Sequence, residues 1–345
     1  MSLSLSKAIE MFVRHKKIER RSPKTIKTYY DDLIRFQNYL NENNIETSDI
    51  KNLDKNIVLH YFEYLTFKKK KWTGHPTNIS NECGLKAKTI NNVRRNLGVF
   101  FNYLLAEECI EKFPLVNIKP QPEDIEEFEV FTTDQLMALL SEPNKHTFSG
   151  FRDYTIMLIM SDNGIRTNEL FNVRVKDVDL QNKHIIVQSG IAKGNKKRYL
   201  PISDIAANCI KELIHYCRLN EEDYLILNQF GGKYSSNTFA KNVKKYGELS
   251  GIKNVRVSPH TIRHTFATQY LLNGGDTISL QLILGHNSQD MTARYVHYNK
   301  MILASILNRN SLLNGIDLIK VGKSKIKKID NFSERSRMAI LNRIV

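Results

Sequence analysis

Residues 117–129, NIKPQPEDIEEFE, divide this chain in two. The two prolines fix φ and remove backbone donors, and the five acidic residues after them have no basic neighbour. Such a stretch neither extends a helix nor lays an apolar face on a core, so it reads as an exposed linker over 117–130. Immediately beyond it, the order Phe131-Thr132-Thr133-Asp134-Gln135-Leu136 has the form of a capping box with a hydrophobic staple. In that motif Thr132 caps, Gln135 reaches back and Phe131 packs on Leu136. One domain is therefore expected over 1–116 and a second from 131 to 300, followed by a tail over 301–345. A chain of 345 residues is also longer than one ordinary core, since single cores stop growing at about 250–300 residues.

The first domain reads as helical throughout. Ser22-Pro23 is a helix start, and Ile26, Tyr29, Leu33, Phe36 and Leu40 recur at spacings of three and four. A second strong helix carries Ile90, Val93, Leu97, Phe100 and Leu104, with Arg94 and Arg95 on the opposite side. Eight Lys and Arg against two Glu in residues 1–30 give this bundle a basic surface, Lys24 and Lys27 included. Between the two helices lies an irregular insertion, residues 68–86, with four successive lysines followed by Trp72, Gly74 and Pro76. It reads either as a DNA-contacting loop or as a surface excursion.

Charge narrows the choice of partner. Lys and Arg outnumber Asp and Glu 51 to 36, a formal net charge of +15, which suits a polyanion, above all nucleic acid. No basic amphipathic helix stands out that would suit an anionic membrane surface. No apolar run approaches membrane-spanning length, and MSLSLSKAIEMF lacks the features of a signal peptide. The protein is expected to be soluble, cytoplasmic and nucleoid-associated. Cys83, Cys109, Cys209 and Cys217 form no CxxC pair, so neither a disulfide framework nor a zinc site is indicated.

The second domain is expected to be mainly α with one small β-hairpin. Residues 184–202, HIIVQSGIAKGNKKRYLPI, hold two β-prone runs around the turn signal Gly194-Asn195. Helices resume near Asp204, Ser236, Pro259 and Thr277, and Gly285 reads as a helix C-cap.

Two late segments hold the chemistry: SPHTIRHTFATQYLL (258–272) and LGHNSQDMTARYVHY (284–298). Cutting a phosphodiester with a side chain requires an attacking oxygen, cations for the non-bridging oxygens, a proton acceptor and a proton donor. A phenol suits the first role, because its pKa of about 10 also makes it a competent leaving group when strands rejoin. Arginine suits the second: it stays charged and its planar fork matches two phosphate oxygens. His260 and His264, four apart, have a zinc-ligand spacing, but Thr261 stands where a metalloprotease needs Glu and no third ligand is near in sequence. No metal or other cofactor is expected.

Taken together, GIRTNEL around Arg166, AKGNK around Lys193, the HxxRH at His260–His264, the LGH at His286 and Tyr295 nine residues later resemble the active site of the tyrosine recombinases of integrase and Xer type. The resemblance covers most of the chain and implies a two-domain DNA clamp whose N-terminal half is a SAM-like, core-DNA-binding helical domain. It implies that Tyr295 is the nucleophile, that Arg166 and Arg263 clamp the phosphate, and that His260 accepts the tyrosine proton. His286 would hydrogen-bond a non-bridging oxygen and Lys193 would protonate the leaving 5′-oxygen. Tyr298 is the rival phenol, one turn further on. Lys196, Lys197 and Arg198 are expected on backbone phosphates, with Lys24, Lys27, Arg94 and Arg95 in the other domain, and His264 is expected to pack or orient its helix. Ala192 departs from the family, which usually has Gly there.

The implied function is site-specific DNA recombination through a 3′-phosphotyrosyl intermediate and a Holliday junction, by a homotetramer on two double-stranded sites. Accessory DNA-bending proteins are possible partners. The 68–86 insertion and the tail after Tyr295 lean toward a mobile-element or plasmid enzyme and away from chromosome-dimer resolution. No arm-site domain is expected ahead of residue 1. The apolar ILASIL at 302–307 would dock either on a neighbouring protomer or on its own domain. A type IB topoisomerase-like relaxation activity and a catalytically idle DNA-binding relative are the alternatives.

Overall fold

The computed structural model describes residues 3–46, 48–70, 82–123, 129–190 and 196–297. By internal packing the chain falls into two units, Met1–Ile125 and Glu126–Val345.

The first unit is a helical bundle. Its helices are α1 (Leu5–Ile18), α2 (Pro23–Glu42), α3 (Lys55–Glu63) and α4 (Ala87–Ala106), with a π-helical turn at Tyr64–Lys68. Ser22 caps α2 by accepting from the Thr25 N–H, as the Ser-Pro start requires. The periodic faces are the core: Leu33, Phe36 and Leu40 of α2 and Ile90, Val93, Leu97, Phe100 and Leu104 of α4 are buried, closing on Phe12 of α1 and Tyr61 of α3. The 68–86 insertion leaves this bundle through a stem in which Lys70 bridges Cys83 and the Gly84 N–H donates to the Lys69 carbonyl. Gly84 has φ +86 and faces the Thr66 carbonyl so closely that a Cβ would collide with it. Residues 71–81 of the insertion, Trp72 among them, lie outside the described residues.

The second unit opens on α5 (Thr133–Ser141) with both capping-box bonds made, Gln135 N–H to Thr132 Oγ1 and Thr132 N–H to Gln135 Oε1. Phe131 is buried, and its N–H donates to Thr265 Oγ1 at 2.9 Å, which pins the start of the domain onto α10 (Pro259–Leu272). Helix α10 packs along α6 (Phe148–Asn163). After α6 come the short α7 (Thr167–Leu170), strands β1 (Val178–Asp179), β2 (His184–Val187) and β3 (Arg198–Pro201), and helices α8 (Asp204–Cys217) and α9 (Ser236–Leu249). Helices α11 (Thr277–Leu284) and α12 (Gln289–His297) follow α10.

The sheet is antiparallel in the order β1-β2-β3, with Ile185 opposite Leu200 and both buried. The expected hairpin is therefore one edge of a three-stranded sheet, because β1, only two residues long, carries no periodic signal. A buried Arg152–Asp153 pair braces α6 from behind, where Asp153 also accepts from Asn242 and Tyr246 of α9. No helix among the described residues is long and apolar enough to cross a membrane.

Candidate active site

Three arginines from separate elements meet at the C-terminal end of α11. Arg198 on β3 donates from Nε to the Ile283 carbonyl at 3.0 Å. Arg166 and Arg263 both donate to the Leu284 carbonyl, at 3.0 and 2.9 Å, and Arg166 also reaches the Gly285 carbonyl at 3.3 Å. The last carbonyls of a helix lack intrahelical partners and carry the negative end of its dipole, which is why cations gather there. Gly285 takes the left-handed conformation that ends the helix and turns the chain into His286.

Backbone geometry presents each arginine. Helix α6 stops at Gly164, whose φ of +62 lets it lie against Phe266 of α10. Asn163 secures the turn by donating to the Pro201 carbonyl of β3 and accepting from the Ile165 N–H, which leaves Arg166 at the head of α7. Arg263, 4 % exposed, projects from the first turns of α10 and donates to the Gly164 carbonyl.

One carboxylate balances the group. Glu169, 2 % exposed, accepts from Arg166 at 3.1 Å and from Arg198 at 2.6 Å. Among the described residues, three guanidinium groups thus face a single carboxylate in a mostly buried site, an arrangement that favours a further anion. Burial, and then the neighbouring Arg166, pull Arg263 down to about 9, which leaves it charged at neutral pH. Burial first, with Arg263 and Arg166 behind it, lowers His286 to about 3, so its ring is neutral. Because a guanidinium only donates, the 3.2 Å contact from Arg263 makes His286 Nε2 an acceptor. The ring proton is then on Nδ1, which donates to Thr292 Oγ1 at 2.8 Å.

Tyr295 of α12 completes the cluster. It is 3 % exposed, its ring lies parallel to that of His286 with centroids 6.3 Å apart, and its hydroxyl meets His264 Nδ1 at 2.8 Å. His264, expected to pack or orient α10, thus meets the phenol directly. His260 lies one turn earlier on the exposed face of α10.

Residues 129–301 match the model of the phage integrase family, and residues 9–108 match that of the phage integrase N-terminal SAM-like domain. The chain belongs to the phage integrase family. It is thus a tyrosine recombinase, an enzyme of DNA strand breakage and rejoining in site-specific recombination; topoisomerase-like relaxation is not the favoured reading. It is similar to the tyrosine recombinase XerD of Staphylococcus aureus, 28% identical over 307 residues that cover 87% of this chain and 97% of that protein. In fold it is similar to the Tn1549 transposon integrase in complex with a circular intermediate DNA, at 20% identity, covering 89% of this chain and 100% of that one, with a TM-score of 0.68. The XerH site-specific recombinase bound to a palindromic difH substrate is similar at 22% identity, covering 90% and 85% of the two chains, with a TM-score of 0.65.

The other residues singled out in this integrase-family sequence divide three ways. Lys24, Lys27, Arg95, Lys196 and Lys197 are exposed, although Lys27 is 3.4 Å from Asp31 and Arg95 donates to Asn92. Arg198 and Arg94 each hold a backbone carbonyl. Arg198, its side chain 10 % exposed, is committed to Glu169 and Ile283, and Arg94 donates from Nε to the Ile118 carbonyl. The sequence does not reveal which backbone carbonyl a guanidinium will find. Lys193, Ala192, Tyr298 and the 301–345 tail lie outside the described residues. Among the described residues no cluster of three or more His, Cys, Asp or Glu is arranged to hold a metal ion.

Glu169, Thr292 and the carbonyls of residues 283–285 are functional neighbours that the sequence reading did not name as such. For Glu169 a signal existed, an acidic residue three positions after Arg166, but a surface ion pair gives the same signal.

Proposed function

We propose that this enzyme recombines two copies of a specific duplex DNA site, with Tyr295 as the nucleophile. The observation that carries the reading is the convergence of Arg166 and Arg263, almost a hundred positions apart, on one carbonyl beside the Tyr295–His286 ring pair. A phosphodiester entering the cluster accepts N–H groups from both arginines. The Tyr295 oxygen attacks phosphorus as its proton passes to His260, and the bond to the 5′-oxygen breaks. Lys193 gives that oxygen a proton, leaving a 3′-phosphotyrosyl link and a free 5′-hydroxyl. When Arg263 turns its N–H to the phosphate, His286 Nε2 loses its donor; beside the new anion it takes up a proton and hydrogen-bonds a non-bridging oxygen. The free hydroxyl then attacks the link on the partner strand, which reverses the chemistry without outside energy. These side chains supply every group the reaction needs, so neither metal nor nucleotide cofactor enters it.

Residues 1–116 and 131–300 serve as DNA-binding and catalytic halves joined by the 117–130 linker. Lys24, Lys27, Arg95, Lys196 and Lys197 lie on backbone phosphates. Four protomers act on two sites through a Holliday junction, with the 302–307 segment docked on a neighbour. The fold likeness to the Tn1549 transposon integrase, the 68–86 insertion and the long tail favour a mobile-element setting.

The test has two stages. The bound DNA sequence is recovered by selection from a random duplex library and footprinted, and a version nicked beside the cleavage point is offered as a suicide substrate. Wild type and Tyr298→Phe should each trap a covalent protein–DNA adduct that survives denaturant, and Tyr295→Phe should trap none. An adduct with Tyr295→Phe refutes the assignment.

A further inference from the structure

His286 is held at each of its polar atoms. Its backbone N–H donates to the Gln281 carbonyl at 3.1 Å, and its own carbonyl accepts from Gln281 Nε2 at 3.2 Å. On the ring, Nε2 accepts from Arg263 at 3.2 Å and Nδ1 donates to Thr292 Oγ1 at 2.8 Å. The bonds to Gln281 fix where the residue sits on the end of α11, and the two ring bonds fix how its plane is turned. Those two do not persist equally. When Arg263 turns to the phosphate, Thr292 is the side chain, among the described residues, that still hydrogen-bonds the ring.

We propose that Thr292 is the positioning residue of His286: by accepting from Nδ1–H it reserves Nε2 for the non-bridging oxygen and steadies the ring while Nε2 gains its proton. The hydrogen bond at one imidazole nitrogen decides what the other can do. Thr292 is 1 % exposed, so solvent has little access to the hydroxyl. It lies three residues before Tyr295 on α12, so the group that turns the imidazole and the phenol share one face of a single helix. A hydroxyl oxygen accepts Nδ1–H from a neutral or a charged ring, and the bond to the charged ring is the stronger. Without that oxygen the ring is free to turn over about its Cβ–Cγ bond, and a charged ring is left with an unpaired N–H in a mostly buried site. The other ionisable groups around the ring are Arg263 and His264 of α10, Arg166 at the head of α7, Arg198 of β3 and Tyr295 of α12, with Glu169 behind the arginines. A substitution at 292 leaves all of them in place.

The inference rests on the proposed reaction, in which protonated His286 serves the phosphate, and its test is the pH profile of single-turnover cleavage of the suicide duplex by full-length protein. Cleavage that needs the charged ring is lost as pH rises through the pKa of His286 in the complex. Thr292→Val keeps the side-chain shape and removes the acceptor. It should slow cleavage roughly 10-fold and, because the charged ring loses more than the neutral one, move that limb down by roughly 0.5–1 pH unit. Thr292→Ala removes the same oxygen without crowding the ring and should move the limb equally, so a folding defect peculiar to one variant does not decide the result. Thr292→Ser restores the acceptor and should return the limb to its wild-type position. A purely structural role would lower the rate at every pH and leave the limb in place. A limb unmoved in Thr292→Val and Thr292→Ala, or moved as far in Thr292→Ser, overturns the proposal. A wild-type protein that traps no adduct would instead overturn the proposed reaction.

Discussion

Replacing Glu169 by Gln removes one negative charge from the arginine cluster and almost no volume. Glu169 is 2 % exposed and accepts from Arg198 at 2.6 Å and Arg166 at 3.1 Å. Without its charge, three guanidinium groups crowd the end of α11 with no carboxylate among the described residues there. Removing one partner of a buried ion pair costs about 3–5 kcal/mol, because the remaining charge is left uncompensated. The amide oxygen of Gln still accepts part of the set of N–H groups that Arg166 and Arg198 aim at the carboxylate, so the lower part of that range, about 3 kcal/mol, is the expected loss. For a domain of 150–250 residues about 1 kcal/mol shifts Tm by roughly 2–4 °C, so the melting point should fall by roughly 6–12 °C.

An anion that occupies the phosphate site replaces the missing carboxylate, so sulfate should stabilise Glu169→Gln more than it stabilises wild type. Thermal melts followed by circular dichroism, in chloride and in sulfate at matched ionic strength, measure both effects. A loss below about 1 kcal/mol, the range of an exposed pair, would refute the claim that Glu169 is the counter-charge of the clamp. Equal sulfate stabilisation of the two proteins would refute the claim that the cluster receives a phosphate.

Three further outcomes follow from the same geometry. Arg263→Lys keeps a charge but loses the fork that spans Gly164 and Leu284; suicide-substrate cleavage should drop about 100- to 1,000-fold while gel-shift affinity changes little, as for a missing transition-state donor. His286 titrates near 3 in the folded protein against 6.5 for the unperturbed group, so between those values the unfolded chain binds the extra proton. Stability should therefore decline as pH falls below about 6.5, and urea midpoints across pH should lose that component in His286→Asn. Arg95→Ala and Lys27→Ala should weaken DNA binding evenly across sequences and reduce the salt slope by about 0.9 for each phosphate no longer neutralised, read from affinities at several salt concentrations.

The sequence was most legible where a rule is local. The apolar faces of α2 and α4, the Thr132–Gln135 capping box and the Gly285 cap depend on residues within one or two turns of each other, and each is present. It was also legible where residue type is bound to chemistry, since Arg166, Arg263, His286 and Tyr295 come together. It was least legible where a side chain has two possible destinations at tertiary distance. Arg198 and Arg94 read as contacts to backbone phosphates, and each also holds a carbonyl, 85 and 24 positions away respectively. His260 and His264 share a helix with Arg263, and only the approach of α12 selects the one that meets the phenol. Strand β1 is too short to show a period, so its pairing with β2 is decided by the sheet and not by its own two residues.

The central claim concerns one atom, and mass spectrometry of the trapped protein–DNA adduct addresses it directly. After nuclease and protease digestion, the expected product is a peptide whose nucleotide remnant is linked through phosphate to the oxygen of Tyr295. A remnant on Tyr298, on another side chain, or the absence of any covalent remnant under conditions that give strand cleavage would contradict it.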